Sequence, residues 1–180
     1  MTDATVDPRT SNLLGAFALL TADRVLAASS TATQRPATDT AALLLLTTTL
    51  DGTTQDTLAR ALGLTGSGAT RLVERLVDEG LLKREPGPSR RQVSITTTPR
   101  GRAAAQAGLE ERTRVCADLL DALDGDERDA LTRLLEKLLQ PTPTSLLDAY
   151  HICRLCNPTA CGHHQGRCPV TCGVETATGA

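Results

Sequence analysis

The sequence predicts a mostly α-helical protein with one small β hairpin, and three observations carry that prediction. Phe17 and Tyr150 are the only Phe, Tyr or Trp residues, so the core must be Leu, Ala and Val, and Leu and Ala are strong helix formers. Apolar residues recur at helical spacing, as at Ala69, Leu72, Val73 and Leu76 (i, i+3, i+4, i+7). Strand-type alternation appears where Val93 and Ile95 alternate with Gln92 and Ser94. Just before it, Pro86, Gly87, Pro88 and Ser89 supply a turn. A chain of 180 residues is long enough for one sizeable domain plus an appendage.

Taken in order, residues 1–10 are polar and read as a flexible tail. Residues 11–28 form a first helix, with Leu13, Phe17 and Leu20 at helical spacing and Ser11 or Asn12 as its cap. Residues 29–40 (SSTATQRPATDT) read as a polar loop. The apolar run from Ala41 to Leu46 reads as a buried helix, closed by Asp51-Gly52. A short helix from Asp56 to Leu62 stops at Gly63, and Leu64 and Thr65 lead into a second helix running to Gly80. Thr65 is its N-cap, because the hydroxyl can accept from a free N–H of the first turn. Thr98-Pro99 starts a long helix reaching about Leu123, proline suiting the first turn. After Asp124-Gly125, residues 126–139 form another, with Leu131, Leu134, Leu135, Leu138 and Leu139 on one face. Such a leucine stripe is ordinarily core, and here it reads as core that extends across a dimer. PTPTS (141–145) punctuates the chain before a short helix, LLDAYHICRLC, and residues 173–180 read as a second flexible tail. The expected organisation is a body over 11–140, containing a reader at 41–97, and a cysteine-rich module over 141–172.

Helix, tight turn, helix and hairpin in this order outline a winged helix-turn-helix that binds duplex DNA. On the second helix, Ser67, Thr70, Arg71, Glu74 and Asp78 lie opposite the apolar stripe. An arginine can fork onto guanine O6 and N7, and hydroxyls can donate to bases or phosphates. Ser67, Thr70 and Arg71 are therefore the expected groove contacts, and Arg75 and Arg84 the expected phosphate contacts. Glu74 is more simply a partner for a neighbouring arginine than a reader of cytosine. Arg90 and Arg91 at the hairpin tip suit phosphate or minor-groove contact. The plain alternatives are a solvated helix face and a soluble charged hairpin. Net charge is −2 and gives no hint of nucleic acid, but its distribution does. Residues 81–102 hold six basic groups and one acidic, while 117–129 hold six acidic groups and one basic. Affinity for DNA follows the phosphates neutralised locally.

The stretch from about residue 38 to 140 resembles the MarR (multiple-antibiotic-resistance-regulator) family. LARALGLTGSGATRLVERLVDEGLLKRE is similar to its helix-turn-helix and first wing strand, and RRQVSITTTPRGRA to its second wing strand and next helix. The resemblance implies a homodimeric transcriptional regulator in which helices from both chain ends form the dimer interface. The family's wing carries an Asp before its arginine pair, where this chain has Pro88-Ser89.

The tail holds a second pattern. Cys153, Cys156, Cys161 and Cys168 are spaced C-x2-C-x4-C-x6-C, and five of the six cysteines and all three histidines fall between residues 151 and 172. Four thiolates in one short loop can wrap a single cation or cluster, with Gly162, Gly166 and Pro158 supplying turns. Zinc would stabilise a tail too small to fold alone, though only Cys153 and Cys156 form a C-x2-C knuckle. An iron–sulfur cluster is the sharper reading, since compact four-cysteine runs ending in Cys-Pro are similar to ferredoxin loops and Cys168-Pro169 has that ending. A reactive thiol group without metal is the third. His163 and His164 can substitute for a cysteine but are ordinarily solvated, Cys172 is a spare, and mid-helix Cys116 reads as a small buried hydrophobe.

No constellation for hydrolysis or phosphoryl transfer is present, so an enzyme is not expected. No apolar run reads as long enough to cross a membrane, and the N-terminus lacks a charged-then-apolar leader, so a cytoplasmic location is expected. The expectation is thus a DNA-binding homodimer responding to metal or redox state through its four cysteines. Its rivals are a regulator sensing a small-molecule effector, with a purely structural zinc, and a redox or electron-transfer subunit.

Overall fold

The computed structural model describes residues 7–87 and 92–178. Its elements are α1 (Pro8–Thr33), α2 (Ala37–Thr48), β1 (Thr53–Thr54), α3 (Gln55–Leu62), α4 (Gly66–Asp78), β2 (Leu82–Pro86), β3 (Val93–Thr97), α5 (Pro99–Leu120), α6 (Gly125–Leu139), α7 (Leu146–Ile152) and α8 (Pro169–Thr178). The mostly helical architecture with a small wing is as the sequence predicts.

The centre is α2. Ala41 through Leu46 are buried on every side, and a helix apolar all round must be surrounded. It packs against α1, α3, α5 and β3, joining Leu58, Leu62, Leu72, Leu76, Ile95 and Leu109 in one core. The first helix is longer than expected. Asp7 caps it by accepting from the Arg9 N–H, Pro8 occupies its first turn, and it continues to Thr33. Most of the expected loop is therefore helical. Ser29 is buried within hydrogen-bonding reach of the Gly108 carbonyl, and Thr33 bonds both the Ser29 carbonyl and the Thr40 hydroxyl. At 26 residues, α1 is long and apolar enough to cross a membrane by length and composition, which corrects the expectation that no segment is. In this fold it lies along α5.

The hairpin belongs to a three-stranded antiparallel sheet in the order β1-β3-β2. The expected alternation holds at Ile95, which is buried, but not at Val93, which is 51 % exposed, or at Ser94, which is buried. Ser94 lies in the middle strand, paired with Thr54 on one side and Glu85 on the other. Behind the sheet, the α4–β2 corner meets α5 closely. A Cβ on Gly101 would stand 2.1 Å from the Leu81 carbonyl oxygen. Thr98 donates to the Gly80 carbonyl at 2.7 Å and accepts from the Gly101 N–H, capping α5.

At the C-terminal end, Asp124 and Glu127 form a capping box that starts α6. None of its leucines is buried within the protomer; Leu134 and Leu138 are 58 % and 55 % exposed. The short helix expected to run to Cys156 ends at Ile152. Residues 173–178, expected in a flexible tail, instead complete α8. Val170 and Val174, four apart on one face, are buried with Ala149 and Cys168, and a Cβ on Gly173 would stand 1.9 Å from the Gln140 carbonyl oxygen.

Two ion pairs tie the start of α2 to α4. Arg35 bonds Glu79 just past the end of α4. Asp39, 1 % exposed, receives both Nε (3.0 Å) and Nη2 (2.6 Å) of Arg75. The same contact raises the Arg75 pKa, chiefly through the Asp39 hydrogen bond and then its charge. Asp39→Ala leaves that guanidinium without its buried acceptor, and chemical denaturation is expected to show a loss of about 1–3 kcal/mol.

Candidate nucleic-acid interface and cysteine cavity

The helix-turn-helix is built by local signals. Thr54 caps α3 and Gly63 ends it in the left-handed region at φ +65°. Two residues later Thr65 caps α4 by accepting from the Gly68 N–H at 3.1 Å. The Ala69, Leu72, Val73 and Leu76 stripe is buried, as its spacing predicts. The opposite face carries the expected contacts, in three different conditions.

Ser67 and Arg71 are exposed near the N-terminal end of α4, and no described residue forms an ion pair with Arg71. Thr70 is half-buried, and its hydroxyl already donates to the Gly66 carbonyl (3.0 Å) and accepts from Gln55 Nε2 (2.8 Å). Arg75, expected on a phosphate, has its fork committed to Asp39 and so acts first as a brace between α4 and α2. On the hairpin, Arg84 is exposed on β2, whereas Lys83 is paired with Glu85. That pairing, with help from Thr96, lowers the Glu85 pKa. Arg90 and Arg91 lie outside the described residues.

The sequence reading missed Asp39 and Gln55, which orient two of the named side chains. Asp39 sat in an expected loop, and nothing local marks it as the partner of a residue 36 positions away.

The four cysteines named from the sequence share one cavity wall. Cys153, Cys156, Cys161 and Cys168 line one cavity of about 240 Å³, closed by Leu45, Thr48 and Thr49 of α2 and by α7. Gly162 and Gly166, both left-handed, bracket a 3₁₀ turn at His163–Gln165, which turns the chain back so that Cys168 reaches the others. The Cys161 thiol donates to the Pro158 carbonyl at 3.5 Å. Cys153 donates to Cys156, which pushes the Cys153 thiol pKa up and draws Cys156 down to about 6, Arg112 and Arg154 adding to the latter. Cys161 is pushed up to about 11 by burial, by the charge of Cys168 and by hydrogen bonding to it. Among the described residues, no three His, Cys, Asp or Glu side chains stand as one bound ion requires. The donor chemistry suits a soft metal; the sulfurs line the cavity without closing on one point. His163 also lines it but bonds Thr171 at 3.0 Å. Cys172 lies outside it, and Cys116 is half-buried beside α1 and α6.

Residues 36–92 match the MarR family model. No curated protein matches the chain by sequence. Among solved structures, RV1404 from Mycobacterium tuberculosis is 28% identical with a TM-score of 0.63, covering 77% of this chain and 94% of its own. Wild-type MarR from E. coli, without ligand, is 24% identical with a TM-score of 0.63, covering 75% and 98%. A mutant of MepR from S. aureus, bound to an oligodeoxyribonucleotide, is 21% identical with a TM-score of 0.56, covering 72% and 95%. With residues 36–92 matched by sequence and the body matched by fold, the chain is similar to the MarR family of winged helix-turn-helix proteins.

Proposed function

We propose that this protein is a sequence-specific DNA-binding transcriptional regulator that works as a homodimer. The observation that carries the reading is the outer face of α4, where exposed Ser67 and unpaired Arg71 stand beside the Arg84-bearing wing. A helix presented this way can enter a major groove, where arginine reads guanine bidentately. The MepR mutant of like fold is bound to an oligodeoxyribonucleotide, which supports carrying the reading to this chain. Thr70 contributes through its remaining lone pair, and Arg90 and Arg91 add positive charge to the sequence between the two wing strands.

The dimer reading rests on the chain ends. Leu13, Leu14, Phe17 and Leu20 of α1 and Leu134, Leu135 and Leu138 of α6 are all exposed. Apolar surface of that extent on two helices at the two ends of the body is what a second copy would cover. A two-fold dimer then places two recognition helices about one helical turn of DNA apart.

The four cysteines make the regulator metal- or redox-responsive in this reading. A cavity of about 240 Å³ lined by four thiols offers the soft sulfur donors that an iron–sulfur cluster takes. Zinc needs the four sulfurs to close on one point. A second reading, an effector-sensing regulator with structural zinc, is favoured by a different observation. A mainly apolar cavity of about 580 Å³ lies between α1, α5, α6 and the cysteine loop, lined by Phe17, Leu135 and Arg112. Thr21, also on its wall, has a buried hydroxyl without a partner among the described residues. Such a cavity fits an apolar molecule with one anionic group.

Arg71→Ala is expected to weaken binding to a selected duplex by about 1–3 kcal/mol and relax base preference at one position. Fluorescence anisotropy against a panel of duplexes checks it, and an equal loss on every sequence would reassign the residue to phosphate. Anaerobically purified protein should be brown with broad visible absorption if a cluster is bound; a colourless protein releasing zinc decides for the ion. Cys161→Ser should strip either, and unchanged metal content on elemental analysis would remove the four-cysteine assignment.

A further inference from the structure

The end of α3 is completed by a residue from the cysteine module. The last four carbonyls of a helix have no intrahelical donor. In α3 those of Ala59 and Arg60 are taken by the backbone N–H groups of Leu64 and Gly63. The Ala61 carbonyl instead accepts from the ring of His151, with Nδ1 at 3.2 Å. The same imidazole lies over Gly63, where a Cβ would meet its Cε1 at 3.6 Å. His151 thus sits on the turn joining α3 to α4, although it belongs to α7 and stands two residues before Cys153.

Three further observations make this contact a joint. α7 packs directly on α3, and Tyr150 and Leu155, on either side of Cys153, pack against the main core. The thiol cavity is closed on its far side by Leu45, Thr48 and Thr49, the last turn of α2 and its cap. The module's own buried set is small: Ala149, Cys168, Val170 and Val174. So small a core does not hold a fold without a staple, and whatever the thiolates bind would supply it.

We propose that the group held by the four cysteines acts on the reader of its own protomer, with His151 as the positioning residue that carries its state to the α3–α4 turn. The inference rests on the reading that these cysteines bind a metal ion or cluster. With the thiolates tied together, the end of α7 is fixed and His151 holds the Ala61 carbonyl. When they are released, α7 loses its anchor and the turn preceding Thr65 loosens. The first residues of α4, Ser67 and Arg71 among them, then lose the fixed entry into the groove that binding requires. The alternative route runs through the dimer helices, because Cys156 and Cys161 also line a cavity with Phe17, Leu131 and Leu135.

The test uses the full-length protein, purified anaerobically, with metal measured by elemental analysis. Hydrogen exchange is followed by mass spectrometry, and affinity on a duplex selected by the wild type from a random-sequence pool. His151→Ala should keep the wild-type metal content. Exchange across residues 59–68 should rise by about 2- to 10-fold, the range one hydrogen bond supplies, and affinity for the duplex should fall by several-fold. His151→Gln, whose amide can donate, should recover most of both. Removing the metal from the wild type should loosen the same residues, and adding it back should restore them. The proposal is overturned if His151→Ala keeps its metal and leaves exchange at 59–68 unchanged. It is also overturned if protection is lost equally along α5 and α6, or if metal removal alters only α1, α5 and α6. If the wild type carries no metal and takes up neither zinc nor iron with sulfide, the four-cysteine reading itself fails, which separates that result from a failure of the joint.

Discussion

Everything in this protein is arranged around a helix that cannot face water. Ala41 through Leu46 are six apolar residues in succession, all buried. Because they cover every side of α2, neighbours are required all round it. α1 and α5 supply one part of that enclosure, α3 and β3 another, and the residues around the cysteine cavity close over its last turn. The reader, the helices from the chain ends and the cysteine module therefore share one central surface. A displacement of any of them is felt at α2, because a close-packed interior has little free volume in which to absorb it.

On that support, α4 is fixed at both ends by different means. Its N-terminal end is set locally, by Gly63 in the left-handed region and Thr65 as cap. Its C-terminal half is set at a distance, by Asp39 on Arg75, Arg35 on Glu79, and Arg100 on the Glu79 carbonyl. A buried carboxylate is tolerated only when paired and hydrogen-bonded, so Asp39 needs Arg75 as much as Arg75 is steered by Asp39. The consequence is a division of labour among arginines that look alike in sequence. Arg75 braces the helix, Arg71 is left to solvent, and Arg84 stands exposed on the wing.

The cysteine module touches two separate regions of the body. Cys156 and Cys161 face the cavity between α1, α5 and α6, while His151 reaches the turn of the helix-turn-helix. With few buried residues of its own, the module takes its position from what it touches.

By itself, the sequence determined what depends on neighbours within a turn or two. The cap at Thr65, the helix start at Thr98-Pro99, the stop at Gly63, the α4 stripe and the crowding of Cys153 to Cys168 were legible because backbone geometry and short-range spacing decide them. The family outline was legible for the same reason, being a run of such signals in order. What required the folded chain were relations between distant residues: Arg75 held by Asp39, Thr70 engaged by Gln55, His151 closing α3, and Ser94 buried in the middle strand between Thr54 and Glu85. The exposed leucines of α6 belong with these, since a stripe at helical spacing shows that a face is apolar and only packing shows what covers it. Periodicity records which side of an element avoids water; long-range contacts choose the partner that keeps the water out.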